Sequence, residues 1–372
     1  MLANPPIWLI LIAFLAAIGP LVFFHELGHY SVARLFKVKI EAFSIGFGRE
    51  IFGWTNRLGT RWKIGWLPLG GYVRFAGDMN AASQPSHEHS DDPDLFQNKP
   101  VWQRFLIVLA GPVANFILAI AIFAAFFMAV GALQMNSRIG EIEPGSAAER
   151  MGIQTGDVIQ SIAGRSTSQF EDVTMTVSLR PNENVEVVVK RGEQIIVMEG
   201  QLAEVVETDD FGQEIRKGRL GVRPAEVEFS RLGPIDAVSE ATGQVVGLTK
   251  WMVDGVGQIV TGKRSIKELG GPVKIAQISG QALTLGFYSF VGLVALLSIN
   301  LGFINLLPVP MLDGGHLAFY TIEAVRRRPL GERAQEWAFR GGLALLLGLF
   351  LFLTLNDLVN IGLLERLGRL IG

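Results

Sequence analysis

The chain of 372 residues contains no cysteine. Disulfide frameworks, cysteine-ligated zinc sites and cysteine nucleophiles are therefore excluded, and a metal would need histidine and carboxylate ligands. Charge is also scarce, because 18% of the residues are charged, against about 25% in ordinary soluble domains. The net charge of −2 gives no general attraction to nucleic acid, so we expect no nucleic-acid partner.

The N-terminal segment lacks lysine and arginine before its first apolar run and has no clear small-residue cleavage site. We therefore interpret it as a retained membrane span and not as a removed signal peptide. A helix that crosses a bilayer needs roughly 20 apolar residues. Four stretches satisfy this requirement and predict a multi-pass α-helical membrane protein in a lipid bilayer: they lie near residues 5–30, 105–130, 284–307 and 341–362.

Basic residues are concentrated in two of the linkers between these spans. One linker joins the first and second spans, and the other, with the run Arg326 to Arg328, joins the third and fourth. By the positive-inside rule both linkers face the cytoplasm. Residues 138–280 and both termini then lie on the opposite face, which in a bacterium is the periplasm or the exterior.

Residues 138–225 show the pattern of a small β-rich soluble module. A short strand at 139–142 precedes a turn and short helix that stops at Gly152, and valines alternate with polar residues at 185, 187 and 189 before a return strand. Apolar residues from 235 to 259 then recur at helix spacing, which predicts an amphipathic helix on the membrane or against the module. The predicted domains are 1–137, 138–225, 226–282 and 283–372.

The most informative motif is His-Glu-Leu-Gly-His at residues 25–29, at the cytoplasmic end of the first span. On a helix His25 and His29 share a face and can hold one cation, while Glu26 lies beside that face as a candidate general base. Ionisable residues inside a span cost at least about 2.5 kcal/mol each. A metal would offset this cost; alternatively the helix ends at Phe24 and the motif is juxtamembrane.

Two histidines leave a zinc site short of a third protein ligand. Asp313 is the best candidate, because it follows the third span and lies at the same membrane depth as the histidines. It could otherwise be an ordinary helix cap. His316 is an alternative third ligand or a supporting hydrogen-bond donor, whereas we expect His87 and His89, in a polar loop, to be solvated.

Several separate motifs in this order resemble the site-2 protease family of intramembrane zinc metalloproteases, peptidase family M50. The resemblance is closest to its bacterial RseP-like branch, the regulators of sigma-E proteases. It covers nearly the whole chain and rests on the following segments: 24–29, Gly46-Phe47-Gly48, 68–73, the Ala-Gly-Pro-Val-Ala-Asn-Phe run at 110–116, 271–273 and 305–316.

The resemblance implies one Zn²⁺ per chain, bound by His25, His29 and Asp313, with Glu26 activating the water that attacks a peptide bond inside the membrane. It also implies substrate contacts from Asn305, Gly46 and Gly48. Asn305 could instead make a helix-packing hydrogen bond. Residues 40–75 resemble a membrane-re-entrant β element, whose segment 61–67 would be an edge for an unwound substrate; an ordinary juxtamembrane hairpin is the alternative reading.

The module at 138–225 resembles one extracytoplasmic PDZ domain, where the best-known relatives carry two in tandem; its ligand is not specified by the sequence. The implied protein is a bacterial inner-membrane endopeptidase with its active site near the cytoplasmic side. Its implied substrate is a single-span membrane protein such as an anti-sigma factor. Two other functions fit the residues alone: a membrane scaffold with a structural metal, and a cation transporter with intramembrane His and Asp.

Overall fold

Long uncharged runs become helices because a buried or lipid-facing backbone must satisfy its own hydrogen bonds. The computed structural model of the chain describes residues 5–77, 92–167, 169–208, 214–225, 227–328 and 330–360. Its helices are α1 (Ile7–Leu35), α2 (Val101–Ala129), α3 (Ala147–Met151), α4 (Phe170–Ser178), α5 (Pro234–Val260), α6 (Pro272–Leu285), α7 (Phe287–Leu306), α8 (Asp313–Arg326) and α9 (Glu332–Asn360).

Twelve strands lie in the described part of the chain, and all of them pair antiparallel. They are β1 (Ile40–Thr55), β2 (Arg61–Phe75), β3 (Ala132–Met135), β4 (Ile139–Ile142), β5 (Val158–Ile162), β6 (Arg165–Ser166), β7 (Asn184–Arg191), β8 (Gln194–Gln201), β9 (Ala203–Thr208), β10 (Glu214–Arg219), β11 (Val222–Pro224) and β12 (Val227–Ser230).

Four helices within the described residues are long and apolar enough to cross a membrane. They are α1, α2, α7 and the Arg333–Val359 part of α9. These four match the four predicted spans, and the chain is a membrane protein. The predicted domain 226–282 ends within a separate helix, α6, which spans Pro272–Leu285 and packs against α1 and α7.

The chain divides into two compact units. The first runs from the N-terminus to Phe123 and from Gly270 to Leu355, and it contains α1, the β1–β2 hairpin, α6, α7 and α8. Its core lies where α1 and the hairpin pack on α2, around the fully or nearly fully buried side chains of Val38, Phe43 and Ile107. The motif of two histidines therefore lies beside this core, on a helix of 29 residues.

The hairpin folds back on itself. Ser44 of β1 pairs both with Tyr72 and with Lys63 of β2, because β1 bends at Gly46 and Gly48. Both glycines have positive φ angles, +84° and +82°, which strain any residue with a Cβ. As a result residues 61–64 pair on both sides, and the predicted edge at 61–67 is wrong for these four residues. The outer segments are Phe52–Thr55 on one side and Gly71–Phe75 on the other.

The second unit is built around residues 124–269. A four-stranded sheet in the order β6-β5-β7-β8 covers a core that includes Ile139, Ile159 and Val187. The strands predicted at 139–142, after Gly156 and around 185–197 are observed, and α3 ends at Gly152 in the left-handed conformation. Helix α4 is an addition to the predicted pattern.

The amphipathic helix predicted over 235–259 is confirmed as α5, which begins at Pro234. The prediction left two locations open, on the membrane or against the module at 138–225, and α5 makes contacts with the module. Arg165 forms an ion pair with Asp254, and the Gln169 amide donates a hydrogen bond to Glu240 at 2.8 Å.

Candidate active site

His25 and His29 lie on one face of α1, one turn apart. Their rings meet edge to face with centroids 4.8 Å apart, and their Nε2 atoms are 3.3 Å apart. Both residues are buried, 8% and 9% exposed. The four-residue spacing therefore gives the pair of converging imidazole nitrogens that the motif predicts.

Asp313 joins this pair from α8, which begins at this residue. Its Oδ2 atom lies 3.1 Å from Nε2 of His25 and 3.5 Å from Nε2 of His29. Burial opposes ionisation of the carboxyl, but the neighbouring imidazoles outweigh burial and hold the pKa of Asp313 well below its usual range. The third group at the site is thus a carboxylate.

An ion pair between α2 and α8 supports this placement. Arg104 donates a hydrogen bond to Glu323 at 2.7 Å, and its guanidinium group lies 5.0 Å from the centre of the Tyr320 ring. Both partners are mostly buried, with side chains 16% exposed. Helix α8 is therefore fixed against α2 three turns beyond Asp313.

The three side chains fit a zinc ion by their chemistry. One ligand atom from each lies within 4.8 Å of the other two, and no other such group occurs among the described residues. Nδ1 of His29 is 2.9 Å from the carbonyl oxygen of Ile107. Donation of its proton there leaves the Nε2 lone pair free for a metal. Two imidazoles and one carboxylate are the ligand set of catalytic zinc sites that keep a position open for water.

The histidines approach α2 closely because small residues line the crossing. A Cβ on Gly28 would overlap the backbone carbonyl of Ala110, and a Cβ on Gly111 would overlap the imidazole ring of His29. Small residues at helix crossings allow such close packing in membranes. The Ala-Gly-Pro segment of α2 is therefore the wall against which the His29 ring lies.

Gly111→Ala tests this contact. The added methyl group displaces the His29 ring, so with His29 as a zinc ligand we expect zinc binding to weaken by at least about tenfold. The measurement is zinc affinity of the purified protein by chelator competition. Gly19→Ala on α1 is the control, because nothing lies within 4 Å of its added Cβ; equal affinities for the two variants would contradict the contact.

Glu26 lies beside the histidines and contacts the outer segment of the hairpin. The backbone N–H of Val73 donates a hydrogen bond to its carboxylate. A Cβ on Gly71 would come within 3.0 Å of Cγ of Glu26, so glycine is needed for this approach. Strand β2 thus orients the Glu26 carboxylate through the backbone of Val73.

A cavity of about 300 Å³ opens onto these groups. Its lining includes His25, Glu26, His29 and Asp313 together with residues 70–73 of β2. Asn305 of α7 also lines it, whereas Gly46 and Gly48 are absent from its walls. Those two glycines lie instead at the bend of β1.

His316 lines the same cavity but lies apart from the three converging ligand atoms. Its ring centroid is 5.2 Å from that of Phe339 and 6.4 Å from that of Tyr320. Burial lowers the pKa of this imidazole. His87 and His89 lie outside the described residues.

Comparison with known proteins identifies the family. The sequence model of peptidase family M50 matches residues 13–349. The chain belongs to peptidase family M50. A protein of Agrobacterium fabrum assigned as a zinc metalloprotease is 40% identical over 364 residues, covering 94% of this chain and 96% of its own.

Two further relatives agree. The metalloprotease MmpA of Caulobacter vibrioides is 37% identical over 391 residues, covering 97% of this chain and 98% of its own. A protein of Rickettsia conorii, also assigned as a zinc metalloprotease, is 33% identical over 354 residues, covering 94% and 99%. This M50 peptidase is therefore a membrane zinc metalloprotease, and Zn²⁺ is its cofactor.

Sequence reasoning missed three contributors to the site. Val73 supports Glu26 through its backbone, for which no side-chain pattern gives a signal. Asn115 and Gly111 contact the histidines from α2. Their four-residue spacing within an otherwise apolar span is a detectable signal, because it places both on one face of the helix.

Proposed function

We propose that this M50 peptidase cleaves single-span membrane proteins within their transmembrane segment, with His25, His29 and Asp313 as the zinc ligands. The observation that carries the proposal is that a backbone segment, residues 70–73, borders the same cavity as the three ligands and Glu26. Zinc on these ligands would polarise the scissile carbonyl and lower the pKa of a bound water toward about 7.

Glu26 acts as the general base in this proposal. Its carboxylate accepts a proton from the attacking water as the water oxygen bonds to the carbonyl carbon, and it returns the proton to the leaving nitrogen when the C–N bond breaks. The Val73 N–H fixes the carboxylate in position for both transfers. Asn305 lines the same cavity, and in this proposal its side chain hydrogen-bonds the substrate carbonyl.

The substrate class follows from the chemistry of the bilayer. A helix in lipid hides its peptide bonds, so cleavage requires local unwinding and new partners for the freed backbone groups. Gly71 has the same orientation in β2 as Val73, whose N–H is bonded to Glu26 at the cavity, because orientation alternates along a strand. The segment 70–73 therefore offers the substrate a strand to pair with, as in other forms of strand addition.

The proposed substrates are anti-sigma-factor-like proteins with one span, and the proposed location is the bacterial inner membrane. The test is reconstitution of the purified peptidase with tagged single-span anti-sigma fragments, with and without a zinc chelator. We expect chelator-sensitive shortening of at least one fragment. Zinc flux into sealed vesicles without cleavage of any fragment would favour a transporter instead.

The proposed topology places the module at 138–225 in the periplasm and the loop after α8 in the cytoplasm. Because the chain has no cysteine, single cysteines report accessibility without background. Glu193 and Arg328 are both exposed. We expect Glu193→Cys to react with an impermeant maleimide in intact spheroplasts, and Arg328→Cys to react only after permeabilisation; the reverse pattern would refute the topology.

A further inference from the structure

Asn115 on α2 is a buried residue whose side-chain amide contacts Nδ1 of His25, the ring nitrogen that does not face Asp313. Its exposure is 0%, and its Nδ2 atom lies 3.1 Å from Nδ1 of His25. The other end of the amide, Oδ1, is buried with no hydrogen-bond partner among the described residues. A buried polar atom without a partner costs about 1–3 kcal/mol, so this unpaired oxygen needs an explanation.

Asn115 continues a row of contacts along α2. Ile107, Gly111 and Asn115 are four residues apart and therefore face α1 together. The Ile107 carbonyl accepts from Nδ1 of His29, and Gly111 leaves space for that ring. Asn115, one turn beyond Gly111, meets Nδ1 of His25 with its side-chain amide. The row thus meets the outer nitrogen of each imidazole.

The chemistry of the histidine ring decides what this contact must do. Binding a metal through Nε2 requires the ring proton to be on Nδ1, where it must be donated to an acceptor. For His29 the acceptor is the Ile107 carbonyl. For His25 the adjacent group is the Asn115 amide, whose oxygen and nitrogen ends exchange by a half turn of the side chain.

We propose that Asn115 is a positioning residue for His25. With zinc bound, its Oδ1 accepts the proton of His25 Nδ1, which fixes the ring orientation and the tautomer that exposes the Nε2 lone pair. The inference rests on the proposed role of His25 as a zinc ligand. It gives the asparagine of the Ala-Gly-Pro-Val-Ala-Asn run a function that packing alone would not require.

A neighbouring hydrogen bond supplies a matched control. The backbone carbonyl of Asn115 accepts from the Ser298 hydroxyl of α7 at 2.8 Å, and Ser298 is fully buried. Ser298→Ala removes a buried hydrogen bond at the same helix junction, where the bonded atom is the backbone oxygen of Asn115 and not its amide. A general loss of packing at the junction would affect this variant too.

The experiment measures zinc affinity of the full-length protein in detergent by chelator competition, together with the melting temperature of the metal-free form. Asn115→Leu keeps the size but removes the acceptor, and we expect about 10- to 100-fold weaker binding. Asn115→Asp keeps the acceptor and should rescue affinity to within about threefold of wild type, because carboxylates often support metal-bound histidine. Ser298→Ala should leave affinity unchanged.

Wild-type affinity in Asn115→Leu would overturn the proposal, and so would a loss in Asn115→Asp as large as that in Asn115→Leu. If the leucine variant does not fold, the aspartate variant decides alone, since a loss of about tenfold or more contradicts an acceptor role. His25→Ala distinguishes a failure of the positioning role of Asn115 from a failure of the ligand assignment of His25. Weak zinc binding in His25→Ala with normal binding in Asn115→Leu refutes only the positioning role, whereas normal binding in His25→Ala refutes the ligand assignment as well.

Discussion

Asp313→Ala is expected to lose zinc and all detectable cleavage. The substitution leaves two imidazoles, and a catalytic zinc site needs three protein ligands. Affinity should fall by more than the roughly 100-fold that the loss of a supporting hydrogen bond can cause. The measurement is zinc affinity of the purified protein by chelator competition, with metal content determined on the same sample.

Glu323→Gln is the matched control for Asp313→Ala. Glu323 is a mostly buried carboxylate on the same helix, and it pairs with Arg104 instead of facing the histidines. We expect zinc affinity to stay within about threefold of wild type in this variant, because the glutamine oxygen can still accept the hydrogen bond from Arg104 that holds α8 in place, and no ligand is lost. Normal zinc affinity in Asp313→Ala would contradict the ligand assignment, and a combined variant with His316→Ala would then show whether His316 is the third ligand.

Glu26→Gln is expected to lower the cleavage rate by about 10²- to 10⁴-fold, the usual contribution of a general base. The amide cannot accept the proton of the attacking water, but its oxygen can still accept the Val73 N–H. Zinc content should therefore stay at the wild-type level. The measurement is the single-turnover rate on a cleaved fragment, with zinc measured on the same protein.

Two results would contradict the role of Glu26. A normal rate with normal zinc means that another group moves the proton. A low rate with lost zinc means that Glu26 supports the metal site and that its role as a base is unproven. Glu26→Asp tests whether the distance of the carboxylate matters, because aspartate keeps the basic group on a shorter side chain. Partial activity in this variant supports proton transfer at a fixed distance.

The chemistry at the centre of the molecule was predictable from local patterns. The spacing of His25 and His29 fixes a common helix face whatever the fold. Asp313 could be placed at the same depth from the position of the third span. Helix α5 was predicted within one residue at each end, because a regular apolar period is a local signal.

The arrangement around the site was not predictable, because it depends on contacts far apart in the sequence. The fold-back of the hairpin needs two positive φ angles in β1 and pairing of Ser44 with two partners. Sequence alternation alone placed the edge at residues 61–67, whereas the cavity is bordered by residues 70–73. The contacts of Asn115 depend on how closely α1 and α2 cross.

The most direct test of the central claim is the position of the cut. Wild-type protein is reconstituted with a cleaved single-span fragment, and both products are identified by mass spectrometry. We predict a new terminus inside the apolar span, absent with Glu26→Gln protein that holds equal zinc. A terminus only in the soluble flanking sequence would contradict intramembrane cleavage and leave a zinc peptidase that acts on exposed chains.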